Sequence, residues 1–105
     1  MNKFRLYLER RIILIEIKEG NHKFYIGDNE DNIKAVVTYI DSGENNIILD
    51  HTFVSQELRG KNIGQQLVKR VVDFARENNK KIIPQCWFAE EEFVSHKEYE
   101  DVWFR

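Results

Sequence analysis

The sequence predicts a mixed α/β (α+β) fold: a mostly antiparallel mixed sheet of about five strands, one main amphipathic helix and a short C-terminal helix. Three observations lead there. The first half holds four β-branched, apolar runs separated by turn clusters. Near residue 60 the spacing of apolar residues lengthens to steps of three and four, the period of a helix. Another β-branched run follows that helical stretch and carries the chain's one proline.

Each element has its own signal. Residues 12–17 read Ile-Ile-Leu-Ile-Glu-Ile, a first strand, and Gly20 and Asn21 behind them offer a turn. Residues 22–26 form a second strand leading into a turn cluster at Gly27, Asp28 and Asn29. Residues 33–40 form a third strand, which ends at Asp41, Ser42 and Gly43, so these strands make an antiparallel meander. Residues 46–54 are a fourth strand, with the buried polar candidates Asp50 and His51 suggesting a central position. Ile63, Leu67, Val71, Phe74 and Ala75 then mark one face of a helix running from Gly60 or Asn62 to about Asn78. Asn78 and Asn79 supply its stop, with Lys80 and Lys81 where cations complement the helix dipole.

Residues 81–87 are a fifth strand. Pro84 within it cannot donate a ladder hydrogen bond, so one side is unpaired there, at an edge or where neighbours splay apart. Residues 88–96 form the short helix, and 99–103 an apolar C-terminal piece. Residues 1–11 place Phe4, Leu6, Tyr7 and Leu8 among charges and stay unassigned. The domain expectation is an N-terminal extension at 1–12 and one domain at 13–105.

Bulk properties exclude several function classes. A chain of 105 residues with 42% hydrophobic and 12% aromatic content holds one packed core and little more. A formal charge of −2, with both signs interspersed, gives no footprint for nucleic acid. One cysteine and three histidines, with no C-x-x-C pair, leave no intrachain disulfide and no zinc signature, so no metal is expected and the chain reads as cytoplasmic. Glu9, Arg10 and Arg11 interrupt any signal-peptide core, and no segment approaches the roughly 18 apolar residues of a membrane span.

The stretch from Phe53 and Val54 to Leu67 joins a strand, a polar connection and the amphipathic helix through Gly60 and Gly64. The first turn of a helix leaves about four backbone N–H groups without internal partners and carries partial positive charge. Gly60 and Gly64 would let a ligand approach the backbone, and Arg59 and Lys61 add formal positive charge. That pattern suits an anion such as a phosphate. It equally suits a helix with glycine near its start and two solvated basic residues.

The run Arg59, Gly60, Lys61, Asn62, Ile63, Gly64 resembles the Q/R-x-x-G-x-G/A motif of the GNAT superfamily of acyl-CoA-dependent N-acetyltransferases. Asn62 stands where the motif's middle glycine is expected, and asparagine tolerates left-handed backbone better than most residues. His51, Thr52, Phe53 and Val54 before the loop are similar to a compact subgroup of that family, as are Pro84 to Ala89 and His96 to Tyr99 after it. The resemblance implies acetyl-CoA as cosubstrate, bound by Phe53, Val54, Arg59, Gly60, Lys61, Asn62, Ile63, Gly64, Gln65 and His96. It also implies that the strands on either side of the helix splay into a wedge for the pantetheine arm, with Pro84 at one lip.

Acetyl transfer needs a held thioester, donors that polarise its carbonyl, and a deprotonated amine or an enzyme nucleophile. The resemblance makes Cys86 the nucleophile candidate; a small buried hydrophobe is the alternative. His51 is a candidate base, pointing with Phe53 to one sheet face while Asp50 and Thr52 point to the other, or else a satisfied core histidine. His96 contacts the coenzyme or caps the short helix. Glu90, Glu91 and Glu92 either attract a cationic acceptor or form a solvated helix face. The functional expectation is therefore transfer of acetyl to an unidentified amine or protein acceptor, by a monomer or weak homodimer. A non-catalytic CoA-binding or protein-interaction module on the same fold is the alternative.

Overall fold

A computed structural model describes the backbone at residues 3–8 and 11–105 and the side chains at 3–5 and 14–105. In chain order the strands are β1 (Lys3–Leu8), β2 (Arg11–Glu16), β3 (Lys18–Gly20), β4 (Lys23–Asn29), β5 (Asn32–Ser42) and β6 (Asn46–Val54). A 3-10 turn, Gln56–Leu58, leads to helix α1 (Ile63–Glu77). Strand β7 (Lys81–Pro84), helix α2 (Trp87–Ser95) and a 3-10 segment (Lys97–Val102) complete the chain.

The main sheet has five strands in the order β3-β4-β5-β6-β7, antiparallel throughout except for the parallel pair β6 and β7 that α1 connects. The expected fold class and strand number hold, but their membership differs. The run at 12–17 belongs to β2, which pairs with β1 in a separate two-stranded sheet from Lys3↔Glu16 to Leu8↔Arg11. Its place in the main sheet is taken by the three-residue β3, whose turn to β4 is Asn21 and His22, with His22 at φ 57°. Such a turn favours positive φ, so His22 ends the hairpin rather than opening a strand. Gly27 is a point of irregular register within β4, not the turn.

One face of the sheet carries the core. Leu67, Val68, Val71, Val72 and Ala75 of α1 are fully buried against Phe24, Ala35, Val37, Ile47, Leu49 and Ile82. Each valine, leucine or isoleucine among them contributes about 1.5–3 kcal/mol by leaving water. Phe74 lies at the rim of this core, its ring centroid 5.5 Å from Phe24 and 5.3 Å from Tyr39.

Strand β7 ends at Pro84, short of the expected residue 87. Beyond it Gln85 N and Cys86 N both donate to Leu49 O, at 3.0 and 3.2 Å, so the ladder stops advancing along β6. The other side of β7 is covered by the C-terminus, where Phe104 N donates to Ile82 O at 2.9 Å. That tail is tied to α1 by Arg76, whose Nε and Nη2 each lie 2.9 Å from the Asp101 carboxylate. No helix among the described residues is long and apolar enough to cross a membrane.

Candidate active site

The site begins with a one-residue irregularity. Tyr39 pairs with Leu49 and Thr38 with His51, so Asp50 is an extra residue in β6, a β-bulge. A bulge bends its strand and increases local twist. It sits one residue past Leu49, where pairing with β7 ends at Leu49↔Pro84. Strand β6 therefore keeps β5 as a partner through Val54 but loses β7, and a wedge opens between them. Along 50–53 the main chain of β6 has a free edge toward the wedge among the described residues, and Val54 O beyond it accepts from Arg59.

The bulge also resets which way the side chains face. Thr52 stands opposite Val37, on the core face with Leu49, while His51 stands opposite Thr38 on the other face. Asp50 accepts a 2.7 Å hydrogen bond from Thr38 Oγ1, which places its carboxylate on the side of His51 rather than with Thr52. The uniform alternation expected from sequence is corrected there. His51 is also exposed rather than a buried core histidine.

The loop after β6 forms the second wall. Gly60 has φ 77° and Asn62 has φ 62° and ψ 23°, so asparagine does adopt the left-handed conformation at the start of α1. The first helical bond is Gln66 N to Asn62 O at 3.1 Å. The amides of Ile63, Gly64 and Gln65 have no acceptor among the described residues, and the Asn62 side chain does not cap them. They are positioned for an anion. Arg59 is anchored, its Nε donating to Val54 O at 3.0 Å.

Gly64 has a further task. A Cβ there would lie 2.8 Å from Phe88 Cζ, so this glycine also admits the Phe88 ring against α1. Phe88 closes the wedge from the α2 side. The resulting cleft encloses about 710 Å³. Of the residues expected at the site, it brings together His51, Phe53, Val54, Arg59, Gly60, Asn62, Ile63, Gly64, Gln65 and Cys86.

Two expected residues lie elsewhere. Lys61 does not line the cleft. His96 stacks on Tyr99 with ring centroids 5.0 Å apart, and its Nδ1 lies 2.8 Å from Glu92 O, so it closes the end of α2. Glu90 and Glu91 are exposed, whereas Glu92 turns inward toward His96.

The family is decided by a match outside the geometry. The model of the GCN5-related N-acetyl-transferase family fits residues 23–102. The chain belongs to that family. Its fold is similar to the NMR solution structure of a GCN5-like protein from Staphylococcus aureus, with a TM-score of 0.73 and 49% identity, over 85% of this chain and 87% of that one. Protein NATD1 of Danio rerio is 32% identical over 76 residues, 72% of this chain and 69% of the relative. Protein NATD1 of Homo sapiens is 30% identical over 78 residues, 74% of this chain and 69% of the relative.

For a GCN5-related N-acetyltransferase the cleft has two chemically distinct ends. One offers main-chain N–H groups; the other offers the chain's only thiol. Cys86 Sγ lies 2.9 Å from Thr52 Oγ1, while no hydrogen bond joins it to His51 among the described residues. Thr52 is a cleft residue to which sequence reasoning gave no role, and Trp87, 72% exposed, lies at the rim. A hydroxyl among the core-facing residues of β6 was the available signal for Thr52, but the bulge hid its phase.

Proposed function

We propose that the protein transfers acetyl from acetyl-CoA to an amine, using the wedge between β6 and β7 as the coenzyme site. Acetyl-CoA would supply an activated acetyl thioester. The amides of Ile63, Gly64 and Gln65, with Gly60 and Asn62 shaping the loop, hold the pyrophosphate. The free edge of β6 along 50–53 hydrogen-bonds an extended, amide-bearing arm, because unpaired strand groups seek such partners. Phe53, Val54 and Phe88 provide apolar walls that exclude water. Cys86 accepts the acetyl group or lies beside a direct transfer, and His51 takes the proton that the amine must lose.

The observation that carries this reading is the coincidence of three features in one cleft: unpaired helix-start amides, an open strand edge and the sole cysteine. Incubation with acetyl-CoA followed by intact-mass measurement tests it. The expected result is one acetyl adduct with one equivalent of free CoA on the wild type, no adduct on Cys86→Ala, and loss of the adduct with continued CoA release when an amine is added. Tight coenzyme binding by calorimetry without turnover on any amine panel would instead indicate the binding module. Absence of binding removes both.

A further inference from the structure

We infer that Thr52 is the positioning residue for Cys86, its hydroxyl holding Sγ at the thiol end of the cleft and donating to the sulfur whenever it is deprotonated. This rests on the reading of Cys86 as the acetyl acceptor. Strand β6 faces the core with Ile47 and Leu49, both fully buried, and Thr52 stands opposite the equally buried Val37. Valine would match threonine in shape and strand preference at such a position. Thr52 is half-buried at the cleft, and among the described residues the partner that its hydroxyl meets is Cys86 Sγ at 2.9 Å.

The pair spans the wedge, since Thr52 belongs to β6 and Cys86 to the connection from β7 into α2. Threonine is stiff about χ1, so its oxygen is a fixed reference point for a thiol that would otherwise rotate. A hydroxyl has one proton to give and lone pairs to accept with. With a neutral thiol either atom can donate; with a thiolate only Thr52 can. The bond to the charged form is the stronger, so the hydroxyl steadies the sulfur while it reacts.

The covalent steps balance around that atom. In the first, a bond forms between Sγ and the acetyl carbon, the bond from that carbon to the coenzyme sulfur breaks, and the thiol proton ends on the coenzyme sulfur. In the second, the acceptor nitrogen bonds to the acetyl carbon, the bond from Sγ breaks, His51 takes the amine's proton, and a proton returns from it to Sγ. Sulfur leaves as a thiolate in the second step, so the Thr52 hydroxyl assists both.

Cys86 is the only cysteine, so alkylation of the folded protein by iodoacetamide, followed by intact mass, reports that thiol alone. Thr52→Val is expected to react about tenfold more slowly at pH 7, because the hydrogen bond to the reacting sulfur is gone. Thr52→Ser is expected to stay within about twofold of the wild type. Thr52→Ala serves as a second hydroxyl-free variant should valine disturb the fold, as read by circular dichroism. A hydroxyl-free, folded variant that is alkylated as fast as the wild type overturns the inference, as does a serine variant as slow as valine. No coenzyme enters this experiment. Failure of the reading of Cys86 as acetyl acceptor, seen as turnover retained in Cys86→Ala, is therefore distinguishable from failure of the role of Thr52.

Discussion

At the helix end of the cleft the groups available to a ligand belong to the main chain, whereas at the thiol end they belong to side chains. The amides of Ile63, Gly64 and Gln65 exist whatever the side chains are, provided the backbone turns correctly at Gly60 and Asn62. The thiol end depends on Cys86 and Thr52 themselves. Substitutions should therefore act by conformation at one end and by chemistry at the other.

The largest conformational effect is expected at Gly64. An added methyl meets Phe88 Cζ at 2.8 Å, so Gly64→Ala should lower stability in urea unfolding by about 1–3 kcal/mol, the usual cost of overpacking. Shortening the ring in Gly64→Ala with Phe88→Leu should recover part of it. Two independent losses that simply add would sever the proposed contact between the two walls.

Gly60→Val comes next. A β-branched residue at φ 77° costs about 1–2 kcal/mol, and a loop that relaxes away from this shape should weaken acetyl-CoA binding about tenfold or more by calorimetry. Arg59→Ala, which leaves the amides in place, should weaken it less. The reverse order would mean that charge, not backbone, holds the anion.

Asn62 gives a finer measurement. Asn62→Gly should raise the urea midpoint, by up to about 1 kcal/mol, because glycine adopts left-handed backbone without a Cβ penalty, and Asn62→Ala should lower it. Equal midpoints would show that the left-handed turn costs the chain nothing.

The smallest effect serves as a control away from the cleft. The hydrogen bond from Arg76 holds the Asp101 carboxyl below its ordinary range, with the charge of Arg76 adding to it and partial burial opposing it. A lowered folded pKa stabilises the fold above the ordinary carboxylate value of about 3.9, and that contribution is lost as pH falls through the folded value. Asp101→Asn should therefore lower Tm at pH 6 and converge with the wild type toward pH 2. The Asp101 side chain is 56% exposed, so the difference should stay below about 1 kcal/mol. A change in coenzyme affinity in this variant would break the separation of cleft from tail.

Local signals in the sequence mapped well onto local structure. The bounds of β6 match the run at 46–54, and α1 follows its apolar period, because burial of one face selects both. Strand β3 was not legible: Lys18, Glu19 and Gly20 carry no apolar pattern, and their pairing with β4 comes from the hairpin turn. Pro84 announced a break in pairing but not that β7 would stop there. At the site, the loop residues were legible because glycine, asparagine and a helix start carry their own conformational meaning. The bulge at Asp50 was not, since an inserted residue leaves the composition of a strand unchanged while reversing the faces beyond it. Thr52 and the true neighbour of Gly64 were hidden for the same reason: both depend on contacts distant in sequence.

The open edge of β6 has a consequence for the protein's behaviour in concentrated solution. Unpaired strand edges template pairing with other chains and are a common origin of aggregation. Here the edge is short, bent by the bulge and recessed between a helix start and an aromatic wall, so another chain would have to enter the cleft to reach it. Whatever fills the cleft also shields this edge. Its occupant should therefore act as a chaperone for the fold, extending shelf life as well as taking part in chemistry.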